Sequence, residues 1–129
     1  MSRRIAVLGG GNGGHTLAAD LTLQGHEVRL FEMEKFRHQM ESVFQTKTIR
    51  AVGPVLAGTA KIERVTSDLA EAVDQAEIVM VVVPAFAHAD YARLLAPLVK
   101  SDQLVVLLPG TLGTLEFAAV FRECGGNPE

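Results

Sequence analysis

The run Val7-Leu8-Gly9-Gly10-Gly11-Asn12-Gly13-Gly14 constrains this chain more than any other stretch. Gly9, Gly11 and Gly14 fall in G-x-G-x-x-G spacing, after an apolar run at 5–8 and before a helical pattern over about 15–24. The weight comes from that context, a strand that turns tightly into a helix. Each glycine answers a separate demand. Gly9 lets the chain turn, Gly11 lets a pyrophosphate approach bare backbone, and Gly14 lets the helix lie close on the sheet. With Asn12 and Gly13 between them, free N–H groups and the positive end of the helix dipole then face the phosphates. Gly25 ends the helix, and Glu32 ends the next apolar run, 28–31. Glu32 lies 18 positions past Gly14, where a carboxylate receives the hydroxyls of an adenosine ribose. These features read as a dinucleotide site; a glycine turn without ligand is the alternative.

The rest of the chain alternates strand and helix. Strands are expected at 5–8, 28–31, near Val65-Thr66, at 78–83 and at 104–108. The last two are uninterrupted apolar runs, as in parallel strands buried on both faces. Pro84 and Pro109 halt them. Helices are expected at 15–24, from the capping spacing Asp68-x-x-Glu71 through about Asp74, at 87–96, and at 115–122 before Gly125-Gly126. Phe36, Met40 and Val43 form an i, i+4, i+7 stripe of a short helix that faces the core. Short β-like pieces at 49–52 and 59–62, around Gly53-Pro54 and Gly58, suggest a small hairpin. The expected architecture is α/β: a Rossmann dinucleotide-binding fold, a doubly wound parallel sheet in strand order 3-2-1-4-5. Its ligand lies at the carboxyl ends of the strands. The fifth strand would leave an apolar edge exposed, so the chain is expected to be a fragment, or to have that edge covered by a second domain or a second copy.

Size and charge narrow the function. At 129 residues the chain is one domain. A net charge of −3 offers no footprint for nucleic acid, and no apolar run is long enough to span a membrane. A single cysteine, Cys124, fits a reducing cytoplasm. No two histidines stand three or four apart, so no metal site is expected.

Three loops should meet over the cofactor: the glycine turn, 84–88 and 109–114. Backbone of Val83, Pro84 and Ala85 would lie beside the ribose or the nicotinamide, with Pro109 in the third loop; both prolines also serve simply as strand terminators. His88 either orients a substrate carboxylate or cofactor hydroxyl, or starts its helix without a ligand. Glu32 favours NAD, because its charge repels a 2′-phosphate. Lys35 and Arg37 pull toward NADP, and Glu34 between them offsets part of that pull.

Several longer segments carry a family resemblance. Residues 7–15, Gly25-His26-Glu27-Val28, 53–60, Thr66-Ser67-Asp68, Val83-Pro84-Ala85 with His88, and Pro109-Gly110 with Leu115-Glu116-Phe117 resemble the octopine/nopaline (opine) dehydrogenases over nearly the whole chain. The resemblance implies an amino-terminal NAD(P)-binding domain. In that family a helical second domain supplies a catalytic histidine–aspartate pair and most of the substrate pocket. The implied reaction is reductive condensation of an amino acid with a 2-oxo acid, the nicotinamide delivering hydride to the imine. Two departures matter. Leu108 stands where the family has asparagine, and the loop 109–115 is one residue shorter, which puts contacts from that loop in doubt. No second domain is present in these 129 residues, so no catalytic residue is assigned, and the chain alone is expected to bind NAD(H) without turnover. Two other readings stay open: a nucleotide-sensing regulatory module, and another two-domain dehydrogenase such as a ketopantoate or glycerol-phosphate reductase.

Overall fold

Apolar runs that lack turn residues occupy the centre of the sheet, and the residues between them supply the helices. The computed structural model describes residues 2–51, 58–108, 118–119 and 121–122. In chain order the elements are β1 (Arg4–Leu8), α1 (Asn12–Leu23), β2 (Glu27–Phe31), a 3₁₀ helix (Glu34–Met40) and α2 (Glu41–Thr46). Then come β3 (Thr48–Ala51), β4 (Gly58–Lys61), β5 (Arg64–Thr66), α3 (Leu69–Val73) and β6 (Ile78–Val82). A 3₁₀ turn (Ala85–Ala87), α4 (His88–Leu95) and β7 (Leu104–Leu108) follow.

The main sheet runs β5-β2-β1-β6-β7, every pair parallel. Counted among the sheet's own strands this is 3-2-1-4-5, the expected order. β3 and β4 form a separate antiparallel pair, Thr48 opposite Lys61 and Ala51 opposite Gly58. That pair is the anticipated hairpin; its tip, with Gly53 and Pro54, lies outside the described residues. The hairpin packs on α1.

Side chains alternate across the sheet and build two cores. Ala6 and Leu8 of β1, with Val79 and Val81 of β6, face α3 and α4 in one cluster. Ile5 and Val7, with Ile78, Met80 and Val82, join Ala18 and Ala19 of α1 and Ala60 of β4 in the other. This period-two division explains why β6, and β1 from Ile5 onward, are apolar at every position. Leu8, Leu30, Ile62, Leu95, Val79 and Val81 are fully buried, each contributing about 1.5–3 kcal/mol relative to exposure. β7 is a sheet edge among the described residues, with Leu104 59% and Leu108 39% exposed.

Some boundaries moved. Helix α1 starts at Asn12, inside the glycine run, three residues earlier than the apolar pattern suggests. Glycine has no apolar side chain to mark a face, so the pattern could not register that first turn. β6 stops at Val82, leaving Val83 in the loop. The 36–43 stripe splits into the 3₁₀ helix and α2, with Met40 buried at the junction and Phe36 40% exposed. Of the expected last helix, residues 118–119 and 121–122 are described and are helical, and Phe121 is buried. Cys124, Gly125 and Gly126 lie outside the described residues.

The α3 termini show how side chains finish a short helix. The Asp68 carboxylate accepts the N–H groups of Ala70 (3.1 Å) and Glu71 (3.4 Å). The reciprocal half of a capping box is not formed: the Asp68 N–H donates to Thr66 Oγ1, and Glu71 pairs with Arg64 instead. At the other end Arg29 donates to the carbonyls of Glu71 (2.6 Å) and Asp74 (3.1 Å). Asp68→Ala should therefore destabilise the chain by about 1 kcal/mol, while Asp68→Asn retains most of the cap; thermal melts of the two variants check this.

Candidate cofactor site

The carboxyl ends of β1, β2 and β6 converge on the glycine turn. Gly9 adopts φ +114°, a conformation that favours glycine. A Cβ there would collide with the Val82 carbonyl oxygen and stand 2.8 Å from Val83 Cγ1. The Gly9 N–H donates to the Phe31 carbonyl at 2.8 Å, tying the turn to β2. Gly14 allows the closest approach: a Cβ at 14 would collide with the Gly9 carbonyl oxygen. At Gly13 a Cβ would sit 3.1 Å from Val82 Cγ1. Gly11 differs from the other four glycines of the turn, because nothing lies within 4 Å of a Cβ placed there. It is the N-cap of α1, and its carbonyl accepts the His15 N–H at 2.9 Å. The first-turn amides of Asn12, Gly13 and Gly14 have no acceptor within the helix, and no side chain caps them. Bare backbone, open space and uncapped amides together make a place for an anion.

Glu32 is buried beside this turn, at 8% exposure. Its Oε2 accepts the Gly10 N–H and its Oε1 accepts the Met33 N–H, both at 2.8 Å. Each carboxylate oxygen keeps a second lone pair, so capacity for a hydroxyl donor remains. Tyr91 of α4, 2% exposed, packs its ring edge-on to Phe31 with centroids 6.2 Å apart. Burial, and then the charge of Glu32, push the Tyr91 phenol well above its ordinary value. The basic residues beyond Glu32 are otherwise engaged. Arg37 lies over the Phe44 ring at 4.5 Å and pairs with Glu34 at 3.8 Å, and Lys35 lies over Phe36 at 5.2 Å. His15 Nδ1 is 3.0 Å from the Gly11 carbonyl, so its ring folds back along α1.

The loop after β6 runs from Val83 into the 3₁₀ turn that leads to α4. Val83 is buried, Pro84 is exposed and its carbonyl accepts the Ala87 N–H at 2.9 Å, and Ala85 opens the 3₁₀ turn. Phe86 projects into solvent at 87% exposure. His88 is fully buried, and neither ring nitrogen has a partner among the described residues. A buried imidazole left so costs about 1–3 kcal/mol unless water or a ligand reaches it. Pro109 and the loop 109–114 lie outside the described residues. The structure thus joins the glycine turn directly to Glu32 and to Val83. Sequence reasoning did not assign Met40 or Tyr91 to the site. Met40 read as core because its stripe is apolar, and nothing local to Tyr91 signals that α4 brings it to Glu32.

Residues 4–113 match the family described as NAD-dependent glycerol-3-phosphate dehydrogenase N-terminus. The chain belongs to that family of NAD-binding amino-terminal domains. Within its range of relatives it stands with the opine dehydrogenases. It is 43% identical over 129 residues to the opine dehydrogenase of Arthrobacter sp. (strain 1C), covering 99% of this chain and 35% of that protein. It is 38% identical over 117 residues to the tauropine dehydrogenase of Arabella iricolor, covering 84% of this chain and 29% of that protein. A solved structure of octopine dehydrogenase with NADH and pyruvate superposes with a TM-score of 0.79 at 28% identity, covering 98% of this chain and 33% of that one. The chain therefore spans about a third of the length of these relatives.

Two substitutions separate space from backbone constraint. Gly11→Ala should leave the melting temperature nearly unchanged, within the ~0.5 kcal/mol of a surface change, yet abolish NADH binding because the new methyl enters the open face. Gly14→Ala should lose both, since the Gly9 carbonyl is backbone and cannot step aside; overpacking of this kind costs about 1–3 kcal/mol. Tyr91 gives a pH prediction. A phenol harder to ionise when folded contributes fully below the ordinary tyrosine range, about pH 10, and that contribution fades as pH rises through the raised value. Stability should fall as pH rises above about 10 toward the raised value, Tyr91→Phe should lessen the fall, and tyrosinate absorbance reports it directly because the chain has one tyrosine.

Proposed function

We propose that this chain binds NAD(H) at its glycine turn as the cofactor-binding part of an opine-dehydrogenase-like oxidoreductase acting on CH–NH donors. The reaction is reductive condensation of an amino acid with a 2-oxo acid. The observation that carries the reading is the open face of Gly11 beneath the uncapped amides of α1. The 43% identity to an opine dehydrogenase over nearly the whole chain supports the reaction class.

On this reading Gly9, Gly11, Asn12, Gly13 and Gly14 hold the pyrophosphate through backbone, and Glu32 accepts from the adenosine ribose with its remaining lone pairs. Val83, Pro84, Ala85, His88 and Pro109 flank the nicotinamide half. The nicotinamide, when bound, supplies the hydride. The chain's residues bind and orient; none is assigned a catalytic role. Hydride transfer needs reacting atoms held about 3–3.5 Å apart and water kept away, and a lone Rossmann domain leaves that face open. The 129 residues alone therefore bind without turnover. In the complete enzyme a second domain, or a second copy, covers the apolar edge at β7 and completes the site for the two small-molecule substrates. The single cysteine fits work in the cytoplasm.

NAD is preferred over NADP, because the buried Glu32 charge repels a 2′-phosphate while Arg37 is committed to Glu34 and Phe44. The family matched by residues 4–113 favours one further reading, oxidation of glycerol 3-phosphate. Fluorescence titration should show saturable NADH binding, tighter than NADPH, with the gap narrowed in Glu32→Gln. NADH should not be consumed when the chain is given an amino acid and a 2-oxo acid. A folded sample with no saturable NADH signal rejects the proposal. Reduction of NAD by the complete enzyme with glycerol 3-phosphate, and no NADH consumption by it with an amino acid and a 2-oxo acid, would move it to the second reading.

A further inference from the structure

Position 10 is one of the unrestricted places in the G-x-G-x-x-G spacing, yet here it is glycine. Its backbone is outside the left-handed region, so conformation does not demand glycine. The demand comes from a neighbour. A Cβ at Gly10 would collide with Met40 Sδ, and would lie 3.0 Å from Met40 Cγ and 2.9 Å from Glu32 Oε2. Met40 is 2% exposed, at the junction of the 3₁₀ helix and α2. Its thioether therefore fills the space over Gly10 that a side chain there would take. The same Gly10 donates its N–H to the buried Glu32 carboxylate.

From this we infer that Met40 is a positioning residue of the dinucleotide site. Seated on Gly10, it keeps water from the bond between the Gly10 N–H and the Glu32 carboxylate. It thereby holds the turn in the shape that leaves Gly11 open and α1 aimed at the pyrophosphate. A segment outside the glycine motif, residues 34–46, thus sets cofactor affinity by way of one unbranched side chain. A buried hydrogen bond to a charged group weakens once water competes for it, so loss of the Met40 side chain loosens the turn. The blocking groups at Gly10 are side chains, Met40 foremost and the Glu32 carboxylate at 2.9 Å, unlike the carbonyl that blocks Gly14. The larger part of the obstruction at position 10 is therefore removable from position 40. The inference rests on the NAD(H) reading above.

The test is a size-exchange cycle on the 129-residue chain: wild type, Met40→Ala, Met40→Leu, Gly10→Ala and the Gly10→Ala/Met40→Ala pair. NADH dissociation constants and thermal melts are measured on each. Met40→Ala should weaken NADH binding on the order of tenfold, the scale of coupling between touching residues, and Met40→Leu should restore most of it. Gly10→Ala should also weaken binding, and the double variant should bind NADH more tightly than Gly10→Ala alone. Variants that melt lower but match wild-type affinity while folded overturn the inference and leave the NAD(H) reading standing. Strictly additive losses in the double variant overturn it too. A wild type with no saturable NADH signal overturns both. Should Met40→Ala fail to fold, Met40→Val replaces it in the same cycle and is judged by the same outcomes.

Discussion

The close approach of Gly14 to the Gly9 carbonyl is the contact on which the rest of the structure depends. It allows α1 to begin inside the glycine run and to lie against the sheet through Ala18 and Ala19, both essentially unexposed. That placement aims the first-turn amides past the end of β1. Any side chain at position 14 would push the helix away from backbone that cannot yield. The core on the α1 face and the open, uncapped tip of the helix thus share one steric condition.

The turn is also held sideways. Hydrogen bonds reach it from β2, through the Phe31 carbonyl and the Glu32 carboxylate, and β6 closes over it through the Val82 carbonyl. Three strands meet at a single glycine because the order places β1 between β2 and β6. A parallel sheet brings all their carboxyl ends to the same side. A loop on that side is therefore fastened by two neighbours at once, whereas the hairpin β3–β4 packs on α1.

Buried polar groups mark where this arrangement carries more than packing. Glu32 is satisfied by two backbone amides, and that is how a carboxylate survives at 8% exposure. His88 is buried without such partners among the described residues. The two differ in supply: the glycine turn presents amides that no secondary structure uses, while the start of α4 offers the imidazole none.

The sequence by itself determined the alternation of strand and helix, the parallel sheet with its order, the hairpin, and the identity of the glycine turn. Those follow from periodicity and from residues whose backbone demands are local, such as Gly9 with its positive φ and Asp68 with its cap. The pairing of Glu32 with Gly10, the fit of Met40 over that glycine, the approach of Tyr91 and the burial of His88 were decided only by tertiary structure. Each joins residues that periodicity treats separately: position 40 looks like any core methionine, and position 88 like any polar helix start. Local chemistry says what a segment prefers to be. Only the packed chain says which preference ends up against which, because that depends on where several elements stop in space.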